Sequence, residues 1–292
     1  MNKKQSLTFT IIANMTANYG ESLGNISQIQ KVYIDGVAYS KRSWESIKSM
    51  LIRQAGWDDN LEVVDNKSVA TKLVGTTQTI KECKSLEGGY MYAKKNETTY
   101  TKSSALRITD AIATTPYVSD YQFHNNLKLA KMFAEKNNKN PENCGLMPYN
   151  YEYEKTHRIY SVTIFLDEIG EDKNFNISLP NNEKAQRVID LVNALENLEL
   201  VVKGSLDNCE PLFIIGGLSN KKTHIFENLI KYKNNKLVIH EDLKERAKNY
   251  HCGILSSIFD NEQEIKQELN ATSISSFFDT IRNEIKQYYN VE

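Results

Sequence analysis

Residues 19–56, YGESLGNISQIQKVYIDGVAYSKRSWESIKSMLIRQAG, run a Gly/Ser/Asn loop and a short Asp-Gly hairpin straight into a helix. Asp35-Gly36 stands between two β-prone triplets, and glycine supplies the positive φ that a tight hairpin needs. Ser40 can cap the next element, a helix over residues 41–54, in which Trp44, Ile47 and Leu51 recur at helical spacing and face the core. On another face Arg42, Ser46, Ser49 and Arg53 follow in steps of four, three and four, one polar stripe flanked by Lys41 and Lys48.

Upstream, SLTFTIIANM over residues 6–15 alternates as a β-strand does. Downstream, residues 57–150 lose simple periodicity, as a functional or mobile insertion in a compact domain does, with one weak strand near Thr98 to Thr101. Regular patterning resumes with RIYSVTIFL (residues 158–166), an amphipathic helix over 182–197 and the apolar strand PLFII (211–215), which ends at Gly216-Gly217. Helical segments follow over 261–269 and 274–289. Strand, helix, weak strand, strong strand, helix, strand is the βαββαβ order of a ferredoxin-like, RRM-type sheet. The expected class is therefore α+β. The expected organisation is a discontinuous RRM-like domain (1–56 and 151–240), an insertion (57–150) and a C-terminal helical segment (241–292), of which the resemblance given below makes the first a palm and the second a finger or web.

The 292 residues are 40% hydrophobic and 25% charged, which suits a globular chain and argues against wholesale disorder. No uncharged apolar run approaches the roughly 18 residues a membrane span needs, and the start is too short and β-like for a signal peptide, so a cytoplasmic protein is expected. Cys83, Cys144, Cys209 and Cys252 are far apart and the histidines are dispersed, so no metal site, cofactor or redox dithiol is indicated. No HExxH, GxSxG or GxxxxGK[ST] pattern occurs. Net charge is −1, yet residues 1–56 carry seven Lys/Arg against three acids while residues 241–292 carry ten acids against six Lys/Arg. Such asymmetry suits a basic front that meets RNA or the acidic side of a neighbour.

Glycine lets a chain approach a ligand closely, so Ser22, Gly24 and Asn25 can present backbone N–H groups to phosphate oxygens, and Gln28 and Lys31 leave the loop toward the same side. A plain turn accounts for the loop equally well, as a solvated face does for the helix. Arg42, Ser46, Ser49 and Arg53, with Lys41 alongside, offer guanidinium forks and hydroxyls to successive phosphates. Gly216 and Gly217 stand where a sheet edge can meet RNA, with Lys221, Lys222 and His224 next. Tyr90, Tyr92, Tyr100 and Tyr117 can stack on bases, although core or interface packing is the commoner fate of tyrosines.

The LGN loop (23–25), DGVAYSKRSWES (35–46), SALRITDAIATTPYVSDYQFHNN (104–126) and RIYSVTIFLDEIG (158–170) together resemble the repeated backbone subunit of type I CRISPR surveillance complexes (Cascade), the Cas seven group, in its DevR-type, subtype I-B branch. The resemblance implies an RRM-like palm with finger and thumb extensions. It implies copies stacked head to tail along one CRISPR RNA, held by the sugar–phosphate backbone. Target DNA is then recognised through RNA pairing, other Cascade subunits complete the particle, and a separate nuclease-helicase destroys the target. Within the motif, Arg107 is expected to contact RNA and Asp110 to order a loop or pair with a neighbour. The last third matches no motif, so the thumb has no assigned position, and the DevR name carries a regulatory association for some relatives. Two other readings stand beside this one. One is a ferredoxin-like CRISPR RNA endonuclease using His157 beside Tyr160, or His251, as general acid and base. The other is a filament scaffold that binds no nucleic acid.

Overall fold

The computed structural model describes residues 5–20, 26–65, 70–75, 78–93, 99–202 and 204–292. The elements that position the site are, in chain order, β1 (Ser6–Thr16), β2 (Lys31–Ile34), β3 (Val37–Arg42), α1 (Trp44–Gln54), β4 (Leu106–Ile108), β5 (Ala111–Ala113), β6 (Tyr121–His124), α2 (Leu127–Asn137), β7 (Tyr149–Glu152) and β8 (Lys155–Phe165). They continue with α3 (Asn181–Glu196), β9 (Pro211–Ser219), α4 (Glu241–Ala247), β10 (His251–Ile254), α5 (Glu262–Glu268), β11 (Thr272–Ser273) and α6 (Ile274–Tyr289).

One large sheet runs in the order β11-β10-β9-β1-β8-β5-β3-β2, with β4 also paired to β8. Its middle, β9-β1-β8-β4/β5, is the antiparallel arrangement of a ferredoxin-like βαββαβ unit. The fold is α+β, as the order of elements implies. The second palm strand, however, is not the weak segment near Thr98 to Thr101. Tyr100–Lys102 pairs instead with Tyr90–Tyr92 in a small separate ribbon. Leu106, Ile108, Ala111 and Ala113 are the buried residues of the true second strand, interrupted at Thr109-Asp110. Residues 57–150 thus contribute to the central sheet.

Strand β1 has two faces because successive side chains alternate. Leu7, Phe9, Ile11, Ala13 and Met15 enter the main core with Ile47 and Leu51 of α1, Val188 and Leu191 of α3, and Phe277, Ile281 and Ile285 of α6. The opposite face is half hydroxyl and half apolar. Thr8 and Thr10 pair with Thr163 and Ser161 at 2.9 and 2.7 Å, while Ile12 joins Phe213, Ile215, Phe226 and Leu243 in a second cluster. The 16-residue helix α6 is capped by Ser273, and its Tyr289 hydroxyl donates to the Leu166 carbonyl at 2.7 Å, so residues 274–289 close the main core.

Asp35 and Gly36 both have positive φ, 50° and 79°, and make the two-residue hairpin expected between β2 and β3. The helix after it starts later than its stripe suggests. Strand β3 runs through Arg42 because Lys41 and Arg42 pair with Ile112 and Ala111 of β5, and the cap is Ser43, whose hydroxyl accepts from Ser46 N. Ser40 is buried in the strand. Trp44 therefore opens the helix and does not face the core: it is 41% exposed.

The glycine pair also differs from expectation. Gly216 and Gly217 are not a loop after the strand but lie inside β9, opposite Phe9 and Thr8, at φ of 157° and 147°. A Cβ on Gly216 would sit 1.9 Å from the Thr8 carbonyl oxygen, so β1 and β9 approach this closely only because no side chain intervenes. Gly216→Ala is expected to cost upward of about 3 kcal/mol in chemical denaturation, the upper end for overpacking a tight site. Gly204→Ala, at φ of 82° with nothing near its Cβ position, should cost about 1 kcal/mol. Equal losses in the two variants would refute the close-approach account.

Candidate nucleic-acid interface

The N-terminal end of α1, the β4–β5 break and residues 227–232 enclose a cleft of about 650 Å³. Trp44 forms one wall, and Thr109, Asp110, Ile112, Ser161, Asn228 and Tyr232 are among its other lining residues. Asp110 organises the rim: its carboxylate accepts from Lys41 Nζ at 2.6 Å and from Trp44 N at 2.9 Å, satisfying a free amide at the helix start. That is the loop-ordering role its motif suggested. Thr109 Oγ1 accepts from Ser161 N at 2.9 Å and locks the break against β8.

The expected site residues separate into two groups. Arg53 and Ser49 are exposed on α1, Arg107 is exposed on β4 with its guanidinium 5.8 Å from the Phe165 ring, and Gln28 is exposed beyond Ile26–Ser27. Among the described residues neither Arg53 nor Arg107 has an ion-pair partner. These groups are available to a phosphate. Lys41 and Lys31 are already engaged, Lys41 with Asp110 and Lys31 with Glu152 at 2.8 Å, and Lys31 also lies 4.6 Å over the Tyr117 ring. Ser22, Gly24 and Asn25 lie outside the described residues.

Arg42 departs from the expected stripe. It is a buried strand residue whose Nε donates to the Thr16 carbonyl and whose Nη1 donates to Ser46 Oγ, both at 2.8 Å. Burial lowers its pKa, against the pull of Cys209, Asp207 and Tyr19. The stripe on α1 is thus Ser46, Ser49 and Arg53, with Ser46 partly occupied by Arg42. Gly216 and Gly217, inside the sheet, offer no loop to RNA. Lys222 pairs with Asp167 and Glu168 at 2.8 and 2.7 Å, and His224 Nδ1 meets Thr163 Oγ1 at 2.8 Å under a burial that lowers its pKa.

Sequence reasoning missed Arg158, which is fully buried and spans three strands: Nε donates to the Met15 carbonyl (3.1 Å), Nη1 to the Ser40 carbonyl (2.7 Å) and Nη2 to Glu154 (2.8 Å). A signal existed, because Arg158 shares the β8 face of Tyr160, Val162 and Ile164, all in the core. Asp207 was missed too. It accepts from Thr16 N at 2.6 Å and pairs with Lys155 at 2.5 Å, contacts that hold its carboxyl below the usual range against burial, the largest influence and an opposing one.

Tyr90 and Tyr117 are not free to stack: Tyr90 is buried and donates to Asp172 at 2.8 Å, and Tyr117 lies under Lys31. Tyr92 and Tyr100 pack partly buried at the third apolar cluster, Tyr100 with its ring 4.9 Å from Phe175. His157 and Tyr160 lie three residues apart on β8 and so on opposite faces of the sheet. His251 is held by Glu284 at 2.8 Å, which raises its pKa. Cys83, Cys209 and Cys252 are buried free thiols and Cys144 is half-buried. Among the described residues no group of three or more His, Cys, Asp or Glu side chains could hold a metal ion, and no helix is long and apolar enough to cross a membrane.

The profile of the CRISPR-associated negative auto-regulator DevR/Csa2 family matches residues 7–238, which take in the palm and leave out the C-terminal helices. The chain belongs to the DevR/Csa2 family. No curated protein sequence matches it. Solved chains that share its fold include two from surveillance complexes. One comes from a CRISPR RNA-guided surveillance complex in a pre-nicking state, at a TM-score of 0.61 and 11% identity over 97% of this chain and 100% of that one. The other comes from a CRISPR RNA-guided surveillance complex, at 0.54 and 12% identity over 95% and 99%. At such identity the likeness is one of fold.

Arg42→Glu is expected to lower stability by about 3 kcal/mol in urea, because it removes two charge-assisted hydrogen bonds and buries a carboxylate beside Asp207. Arg53→Glu should stay within about 0.5 kcal/mol of wild type, as exposed substitutions do. Two unchanged melts would place Arg42 on the surface after all.

Lys48 gives a pH test. Burial foremost, then Lys72 and Arg107, pushes its pKa down from 10.5 to about 8, while its ammonium donates to the Gly88 carbonyl (2.7 Å) and Ser104 Oγ (2.8 Å). Below about 8 the folded state bears the full cost of the charge; between about 8 and 10.5 it alone releases the proton, so stability rises with pH. Wild type should therefore gain on Lys48→Met across that window, and a flat difference between the two stability profiles would contradict the buried ammonium.

Proposed function

We propose that this chain is the repeated backbone subunit of a type I CRISPR surveillance complex of the I-B branch, holding guide RNA by its sugar–phosphate backbone. Copies stack head to tail along the RNA, target DNA is recognised through pairing with that RNA, and a separate nuclease-helicase acts on the target. The subunit is not a catalyst and works in the cytoplasm with other Cascade subunits. The observation that carries this reading is the pair of exposed guanidinium groups without an ion-pair partner among the described residues, Arg53 and Arg107, with the exposed Ser49 and Gln28, in a DevR/Csa2 fold. Fixed cations of this kind grip phosphates without reading bases. Support against the endonuclease reading comes from His157 and Tyr160, which cannot reach one scissile phosphate from opposite faces of β8. The net charge of −1 with basic and acidic ends favours head-to-tail contacts between copies over mutual repulsion.

The test is to express the chain with and without a CRISPR RNA of its own host and weigh the particle by native mass spectrometry. Several copies per RNA are expected, with mass growing as the guide lengthens. Arg53→Glu with Arg107→Glu should weaken binding to all guide sequences alike and reduce the salt slope by about 1 for each phosphate that is no longer neutralised. A monomer free of RNA, even with neighbouring subunits co-expressed, would return the chain to the enzyme and scaffold readings.

A further inference from the structure

Strands β6 and β7 form an antiparallel ribbon beyond the main sheet, in which His124 lies opposite Tyr149 and Gln122 opposite Tyr151. Alternation puts these four on one face and Tyr121 and Phe123 on the other. On the first face three rings lie nearly parallel: His124 on Tyr151 at 4.6 Å and 25°, His124 on Tyr149 at 5.4 Å and 18°, and Tyr149 on Tyr151 at 6.1 Å and 21°. Tyr149 remains 41% exposed, while His124 and Tyr151 are half-buried. Cross-strand ring contacts help any short ribbon persist, and they explain why the rings meet. They do not explain why Tyr149 is left accessible to solvent. Lys128, Lys131 and Lys136 of α2, which follows β6 directly, are exposed and have no ion-pair partner among the described residues. Accessible ring faces together with unpaired lysines are the combination that binds single strands regardless of sequence.

We propose that the His124–Tyr149–Tyr151 face is a stacking platform for unpaired bases of the guide RNA, which rests on the backbone-subunit reading above. Guide RNA is favoured as the occupant by continuity. Ile26–Ser27 pairs in parallel with β7, Ile26 against Asn150 and Ser27 against Tyr151, and the chain then passes directly to the exposed Gln28, one of the groups assigned to the guide above. Tyr19 packs its ring edge on Tyr151 at 6.0 Å and 81°, joining the stack to the strand that leaves the palm. Stacking needs only a π-face, so it holds any guide sequence and leaves the pairing edges of the base open.

The experiment assembles the full chain on guides carrying a single thiouridine walked along the RNA, irradiates at long wavelength and maps the linked peptides, with copy number read by native mass. Crosslinks to Tyr149, Tyr151 or His124 are expected at a repeating interval. Tyr149→Ala should weaken RNA binding about tenfold, Tyr149→Phe should restore it, and Phe123→Ala on the opposite face should leave it unchanged. Particles of normal copy number that crosslink only elsewhere would overturn the platform and leave the backbone role standing. So would crosslinks found with thiolated target DNA but not with the guide. If both Tyr149 variants break particles into monomers while single-copy RNA affinity holds, the face is a contact between copies and the platform is wrong. Absence of RNA from every preparation defeats the backbone reading and the platform together.

Discussion

Strand β1 is bonded along nearly its whole length to β8 on one side and β9 on the other, and it is buried on both faces. A strand so placed tolerates no slip of register, since a shift by one residue would send Phe9 and Ile11 into the hydroxyl face and Thr8 and Thr10 into the core. The close passage of Gly216 over the Thr8 carbonyl fixes the β9 side, and the hydroxyl pairs Thr8–Thr163 and Thr10–Ser161 fix the β8 side. With β1 set, α1, α3 and α6 have one apolar face to cover, and the opposite face is left partly polar. That asymmetry makes the cleft at Thr109, Asp110 and Ser161 possible.

The far end of β1 is held by charge rather than by apolar packing. Arg42 takes the Thr16 carbonyl, Arg158 takes those of Met15 and Ser40, and Asp207 accepts from Thr16 N. Backbone groups that would be orphaned where the strand leaves the sheet are thereby satisfied. Guanidinium suits the task because one planar group donates in several fixed directions, which an ammonium cannot match. The arrangement also positions function: Arg42 sets the Ser46 hydroxyl and the start of α1, and thereby the direction in which Ser49 and Arg53 project.

Much of the palm was legible because its residues obey a period. Helix α6 was readable to its ends, and the Asp35-Gly36 hairpin declares itself by turn chemistry. Legibility failed where a tertiary partner overrode a local signal. Arg42 continues a helical stripe on paper, but pairing with Ala111 holds it in β3, and the polar spacing from Arg42 to Ser46 survives only as a hydrogen bond between them. Gly216-Gly217 looks like the end of a strand, whereas a sheet that needs close approach uses the same residues in its interior. Leu106 to Ala113 was overlooked because Thr109-Asp110 breaks an already short strand. Of the candidate site, the exposed Arg53 and Arg107 were legible; the internal engagement of Lys31 and Lys41 was not, since Glu152 and Asp110 are far away in sequence.

That internal engagement bears on how a chain of net charge −1 can grip a polyanion. A lysine already bonded to a carboxylate must exchange one partner for another, so Lys41 and Lys31 add little net attraction until a phosphate displaces Asp110 or Glu152. Unpaired guanidinium groups face no such exchange. A site built from a few of these gains in orientation what it lacks in total charge. Were copies to lie side by side on RNA, as proposed, low total charge would have its own use, because each added free cation would strengthen the hold on RNA and the repulsion between neighbours at once. Among the described residues Arg53 and Arg107 keep no carboxylate partner, whereas Lys31 and Lys41 are neutralised by Glu152 and Asp110.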